Sequence, residues 1–246
     1  MWDYLHDPAA ADGYDAALAG TPLLAYDQDF VLEHCRPAGR IADLGCGTGR
    51  LSLTLARNGH QPLAVDLSPQ MLRVVGARAA AAGLEIKRLQ ANLVELDCLA
   101  DQSFDHAACL FSTLGLIEGD ANRRRFLTHV RRILRPGGVF VLHIHNRWFH
   151  LGTSHGRRLL LKDVFSSIIG KGRRGDFLMP AHQGSGPLMM HLFTRREVGR
   201  LLASAGFELI EMRPLGLGPD GRLSNAWFFA SQRAYGFLIA ARRPAS

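Results

Sequence analysis

The stretch Ile41-Ala42-Asp43-Leu44-Gly45-Cys46-Gly47-Thr48-Gly49 decides how this chain folds. A short apolar run stops on a glycine-rich turn, and Leu51, Leu53, Leu55 and Ala56 then lead to Gly59, placed as a helix C-cap. The order is strand, glycine turn, helix. Leu63-Ala64-Val65-Asp66 reads as the next strand, and Ser68-Pro69 supplies an N-cap and first-turn pair for a helix through Met71, Leu72 and Val75 to Gly83. Together these make one βαβ unit.

Outward from that unit the alternation continues. Strands are predicted from Glu85 to Gln90 and from Phe104 to Phe111, followed by a helix opened by Asp120 with Phe126, Val130 and Ile133 on one face. Pro136-Gly137-Gly138 is a turn feeding the β-branched run Val139 to Ile144. From Arg147 to His191 periodicity fades and Arg157, Arg158, Lys162, Lys171, Arg173 and Arg174 make the segment basic, which predicts an inserted flap over 147–193. Thr194 and Glu197 form a capping box for a helix from Arg195 to Ala205; strands follow at Phe207–Met212 and Gly236–Ala241. Strands alternating with helices at this spacing give a doubly wound α/β fold with a mostly parallel sheet. The expected layout is one domain: an N-terminal helical cover over 1–40, a ligand-binding core over 41–146, the flap, and the rest of the sheet over 194–246.

The composition fits this. A chain of 246 residues, 47% hydrophobic and 21% charged, can bury one core. No apolar run reaches the roughly 20 residues of a membrane span, and Met1 to Asp7 lacks the basic-then-apolar order of a secretory signal, so a cytoplasmic location is expected. Cys35, Cys46, Cys98 and Cys109 are scattered, which predicts reduced, mostly buried thiols and no metal site. The charge of +7 fits either an anionic partner or an arginine-rich composition that favours solubility.

Glycines after a first strand let the backbone turn sharply where a ligand approaches, and the helix start that follows offers unpaired N–H groups. Dinucleotide enzymes space them G-x-G-x-x-G, with the pyrophosphate on the helix N-terminus. Here the spacing is G-x-G-x-G, and Asp43 stands in the strand just before it. A carboxylate there repels a pyrophosphate and suits a ligand carrying an ammonium group. Asp66, at the end of the second strand, is placed to accept ribose hydroxyls, a role shared by both ligand classes.

The segment 41–49 resembles the first motif of class I, Rossmann-like S-adenosylmethionine-dependent methyltransferases. Val65-Asp66-Leu67-Ser68, Ala91-Asn92-Leu93, Phe104-Asp105 with Leu110-Phe111-Ser112, Leu134 to Gly138, and Thr194-Arg195-Arg196-Glu197 with Ala205-Gly206-Phe207 resemble later segments of that family, in order. The resemblance implies a seven-stranded sheet whose last strand, Gly236 to Ala241, runs antiparallel. It implies S-adenosylmethionine as cofactor, its methionine part held by Asp43 with Gly45, Cys46, Gly47, Thr48 and Gly49, its ribose by Asp66 beside Leu67, and its adenine by Ala91, Asn92 and Leu93, with Phe111 closing the pocket. Asn92 stands where the family commonly has aspartate; an amide still hydrogen-bonds the adenine edge. A cover segment such as that around Tyr14 is also a family feature.

Methyl transfer from a sulfonium needs alignment of the nucleophile and exclusion of water more than it needs a dedicated base. In an open α/β sheet the acceptor belongs outside the carboxyl ends of the strands, which points to Ser112, Thr113, His145 and Asn146. Period-two alternation puts His143 and His145 on one face; His145 is the candidate proton acceptor and Asn146 the candidate orienting residue. A small-molecule acceptor is expected. The alternative is tRNA: Gly175 to Pro180 with Met190 to Phe193 resembles the tRNA wobble-uridine carboxymethyl methyltransferases, although Phe111-Ser112 replaces their histidine pair. A nicotinamide dehydrogenase would need the longer glycine spacing, and a non-catalytic binder would be expected to lose Asp43 or Asp66.

Overall fold

The computed structural model describes residues 23–168, 174–179, 188–218 and 220–245. In chain order these form α1 (Leu23–His34), β1 (Arg40–Leu44), α2 (Arg50–Arg57), β2 (Gln61–Asp66), α3 (Pro69–Ala81), β3 (Lys87–Gln90), β4 (Phe104–Cys109), α4 (Thr113–Leu116), α5 (Asp120–Ile133) and β5 (Leu134–His145). A 3-10 turn (Arg147–Gly152), α6 (Ser154–Ile168), β6 (Asp176–Met179), β7 (Leu188–His191), α7 (Arg195–Ser204), β8 (Glu208–Leu215), α8 (Ala230–Arg233) and β9 (Gly236–Arg242) follow. The main sheet has seven strands in the order β3-β2-β1-β4-β5-β9-β8. Strands β1 to β5 pair parallel, and β9 enters antiparallel between β5 and β8.

This is the architecture expected from the sequence, and the alternation of β5 shows why it is stable. Phe140, Leu142 and Ile144 pack with Phe126, Leu127, Val130 and Ile133 of α5 and Val198 and Leu202 of α7. Val139 and Val141 pack on the other face with Phe30 and Val31 of α1 and Leu51 and Leu55 of α2. A central strand buried on both faces has no polar alternation to display. Helix α1 is also tied to the sheet edge: Arg213 on β8 donates to Glu33 (3.0 and 3.1 Å) and to Glu211, which also meets His34 at 3.0 Å.

The expected caps form. Ser68 Oγ accepts from the Met71 N–H, and Thr194 Oγ1 accepts from the Glu197 N–H while the Glu197 carboxylate accepts from the Thr194 N–H, both at 3.2 Å. Thr194→Ala is expected to cost about 1 kcal/mol and to lower Tm by about 2–4 °C in a thermal melt. Two details differ. The Pro136-Gly137-Gly138 segment lies within β5, kinked at Gly137 (φ 80°) beside an irregular step in the β4–β5 pairing. Cys98 is exposed, whereas Cys35 and Cys109 are buried.

The segment 147–193 is more regular than its sequence predicts. Helix α6 hides Leu160 against Phe177 and Leu192, yet exposes Leu161, Phe165 and Ile168 at 70, 64 and 76%. Apolar residues on two faces leave no single helical stripe for a periodicity reading to find. Strands β6 and β7 pair antiparallel, and His191 fastens them to the core: its Nδ1 lies 2.6 Å from Asp176 and its Nε2 2.7 Å from Glu197 on α7. Arg123 of α5 adds a bond to Asp176 at 3.2 Å. Arg157, Arg158, Lys162 and Arg174 are exposed; Lys171, Arg173 and Tyr14 lie outside the described residues. Among the described residues no helix is long and apolar enough to cross a membrane.

Candidate functional site

Parallel strands β1, β2, β4 and β5 all end at one edge of the sheet, and the turn after β1 is built there. The N–H groups of Gly45 and Cys46 both donate to the Val65 carbonyl, at 2.8 and 3.0 Å, pinning the turn to β2. Gly45 and Gly49 hold φ of 78°, a left-handed conformation that a Cβ disfavours, and a Cβ on Gly45 would stand 2.6 Å from Thr113 Cγ2. From this turn α2 leads away, with Arg50 at its first position.

The turn opens onto a cavity of about 360 Å³, within the usual range for small-molecule sites. Three carboxylates line it, the exposed Glu118 and two carried by β1 and β2. Asp43 is 3% exposed and accepts from Ser52 Oγ at 2.6 Å. Burial pushes its carboxyl up to about 6, and the nearby Asp66 adds to the rise. Asp66 closes β2; its two oxygens accept from the Gly47 and Ser68 N–H groups at 2.9 and 2.8 Å. Burial raises its carboxyl too, against those bonds. The Cys46 thiol is raised by burial and by both carboxylates, so it stays protonated and is no nucleophile. Across the cavity Asn92 Oδ1 accepts from the Val94 N–H at 3.2 Å, keeping its amide nitrogen free of that bond.

The chemistry of this wall is specific. Two acid groups, one buried against its preference for water, call for a cation and for hydroxyl donors. They repel a diphosphate. Arg50, the cation on this wall, lies 5.3 Å over the Phe111 ring.

Of the residues singled out from sequence, Asp43, Gly45, Cys46, Gly47, Asp66, Leu67, Asn92, Leu93 and Phe111 line the cavity. Thr48, Gly49 and Ala91 do not line it; they support it, Thr48 buried, Gly49 as the N-cap of α2, and Ala91 donating its N–H to the Asp66 carbonyl. His145 and Asn146 stand at the end of β5 and do not line it. Burial and the neighbouring His143 press the His145 imidazole down to about 3, so it is neutral at pH 7 and a weak base. His143 and His145 do share a face, with ring centroids 5.3 Å apart. Asn146 is buried and spends its amide on the backbone: Oδ1 accepts from the Trp148 N–H, and Nδ2 donates to the Ser231 and Ala234 carbonyls. The sequence reading did not find Leu24 and Gln28 of α1, or Ile117, Glu118 and Asn122, which also line the cavity. Their only signal is spatial, since α1, the loop before α5 and the first turn of α5 line the same cavity as the glycine turn.

Residues 41–138 match the family model described as a methyltransferase domain. The chain is similar to the ubiquinone biosynthesis O-methyltransferase of Xylella fastidiosa (strain 9a5c), 31% identical over 163 residues, covering 62% of this chain and 61% of that one. The chain spans 56–62% of the length of the first curated relatives it matches. Its fold is similar to that of an S-adenosylmethionine-dependent methyltransferase from Methanosarcina mazei (TM-score 0.71, 24% identity, 88% of this chain and 98% of that one). It is also similar to the Burkholderia thailandensis 1,6-didemethyltoxoflavin N1-methyltransferase, solved with 1,6-didemethyltoxoflavin and S-adenosylhomocysteine (TM-score 0.64, 18% identity, 95% and 83%).

Proposed function

We propose that the chain binds S-adenosylmethionine and transfers its methyl group to a small molecule; residues 41–138 match the methyltransferase-domain model, and the fold is similar to that of an S-adenosylmethionine-dependent methyltransferase. The observation that carries this reading is the pair of carboxylates on one cavity wall, the buried Asp43 behind the glycine turn and Asp66 at the end of β2. Asp43 and the turn fit the charged amino-acid end of the cofactor. Asp66 fits a ribose diol, and Asn92 with Leu93 fits the edge and face of adenine. When bound, the cofactor supplies a methyl carbon already activated by a sulfonium.

The protein's own part is alignment and exclusion of water. Leu24 and Gln28 of α1, Leu116, Ile117 and Phe111 line the cavity and supply much of its apolar wall. An apolar cavity of this size with acid groups on its wall suits a neutral or cationic small acceptor better than a phosphate backbone. The named relatives and neighbours that act on small molecules support the same choice.

The test is calorimetric titration of S-adenosylmethionine and NADH into the protein and into Asp66→Ala, with bulk tRNA in a parallel set. Micromolar binding of S-adenosylmethionine, at least about tenfold weaker in the variant, and no heat from NADH are the expected results. Methyl label transferred from the cofactor should then appear in the small-molecule fraction of a cell extract. Label in tRNA, with salt-sensitive tRNA binding, would move the acceptor to RNA. A folded protein that binds no S-adenosylmethionine would overturn the reading.

A further inference from the structure

Helix α6 is apolar on two sides, and the fold covers one of them. Leu160 packs with Phe177 and Leu192. Leu161, Phe165 and Ile168 stand at i, i+4 and i+7, the spacing of a single stripe, and are 70, 64 and 76% exposed. Apolar residues scattered singly over a surface need no explanation, but three large ones in line along one helix do.

The cations of the helix stand beside that stripe. Arg157 and Arg158 lie one turn before Leu161 and Lys162 directly follows it; all three are exposed. Arg157 donates to the Leu151 carbonyl at 3.2 Å, which fixes one of its nitrogens at the start of the helix. The one acid of α6, Asp163, is half-buried and accepts from the N–H of Gly175, the residue before β6, at 2.9 Å. The bias extends along the chain: residues 147–193 carry seven lysines and arginines against two aspartates.

An occupant of this face has to meet two demands together. It must offer apolar matter to Leu161, Phe165 and Ile168, and negative charge to the cations one turn away. A second copy of the same face brings cations of its own, and a nucleic acid brings phosphates without an apolar interior. The outer layer of a bilayer containing anionic lipids meets both demands: headgroup phosphates accept the Arg and Lys heads, while the acyl boundary receives the apolar stripe and the methylene stems. A protruding ridge needs no matching groove in a fluid layer.

We propose that α6 docks the protein on an anionic lipid surface, lying in the plane of the headgroups with Leu161, Phe165 and Ile168 turned into the acyl boundary. The docking is peripheral, since among the described residues no helix is long and apolar enough to cross a membrane. It does not depend on the methyl-transfer reading, because α6 contributes no residue to the cavity lining.

The test is flotation of the protein with vesicles of phosphatidylcholine alone and of phosphatidylcholine containing phosphatidylglycerol. Partition onto the anionic vesicles is expected to exceed that onto the neutral ones at least about tenfold and to fall as salt is raised. Phe165→Ser should lower it about tenfold, and Arg158→Glu with Lys162→Glu should bring it down to the level of the neutral vesicles. These side chains are exposed, so the variants should melt as the unaltered protein does. Trp227→Ser is the control: Trp227 is 84% exposed and lies outside α6, and its loss should change the partition less than about twofold. Equal partition of the unaltered protein and Phe165→Ser, or no partition by either, overturns the proposal. A loss in Trp227→Ser as large as in Phe165→Ser overturns it too, as unspecific adhesion. Without vesicle binding, salt-sensitive tRNA binding that the charge reversals abolish gives the face to nucleic acid, and a dimer in light scattering that Phe165→Ser turns into monomer gives it to a second copy; either result overturns the lipid assignment.

Discussion

Asp43→Asn is expected to make the free protein more stable and to weaken its ligand binding about a hundredfold. The folded state raises the Asp43 carboxyl from 3.8 to about 6, chiefly by burial, so folding favours its protonated form. The sign follows from linkage: a group raised in the folded state leaves stability intact below its unfolded value and withdraws it as pH rises toward the folded one. A rise of this size corresponds to roughly 3 kcal/mol lost between about pH 4 and pH 6 and absent thereafter. Asparagine has nearly the same shape, and its carbonyl can still accept from Ser52 Oγ, but it carries no charge to desolvate. Part of the polar burial remains, so the gain at pH 7 should be about 1–2 kcal/mol. Chemical denaturation from pH 4 to 7 checks it: the two proteins should coincide near pH 4 and separate as pH rises to 6. S-adenosylmethionine binding should fall about a hundredfold in the variant, the loss of a charge-assisted contact to its ammonium group. A variant that is less stable at pH 7, or that binds as before, would remove Asp43 from the role given to it.

Gly45→Ala is expected to cost on the order of 2–4 kcal/mol and to take ligand binding below detection. Two terms add. A left-handed φ of 78° disfavours any Cβ by about 1 kcal/mol. The new methyl would also stand 2.6 Å from Thr113 Cγ2, and Thr113 cannot simply turn away, because its Oγ1 donates to the Leu110 carbonyl at 2.8 Å. Overpacking of this kind adds about 1–3 kcal/mol. The displaced turn would disturb the paired N–H bonds of Gly45 and Cys46 to Val65 and hence the wall that Asp43 and Asp66 share. Gly83→Ala is the control: its φ is also positive, at 63°, but nothing lies within 4 Å of its added Cβ, so only the first term applies. Comparable melts for the two variants would mean that the Gly45 clash relaxes at no cost.

Two sequence readings failed for different reasons. The helix α6 was hidden because Leu160 faces the core while Leu161, Phe165 and Ile168 face outward, so no single stripe existed to be read. Asn146 looked available because a polar residue at a strand end is where acceptors are gripped; the fold gives its amide three backbone partners instead. The histidine alternation along β5 was legible, but its chemistry was not: nothing in the run from His143 to His145 says that one ring meets a carboxylate 116 positions earlier.

The sequence by itself determined the strand–glycine–helix start, the capping of α3 and α7, the order of the strands along the chain and the two carboxylates at Asp43 and Asp66. Each is set by residues a few positions apart, through turn sterics, capping bonds and the two hydrophobic periods. Only the tertiary structure decided which helix covers the cavity, how far burial raises Asp43, and that Asp27 and His143 share one buried site. Those depend on which surfaces meet and on how much water is excluded between them, quantities that belong to the packed molecule and to no local stretch of chain.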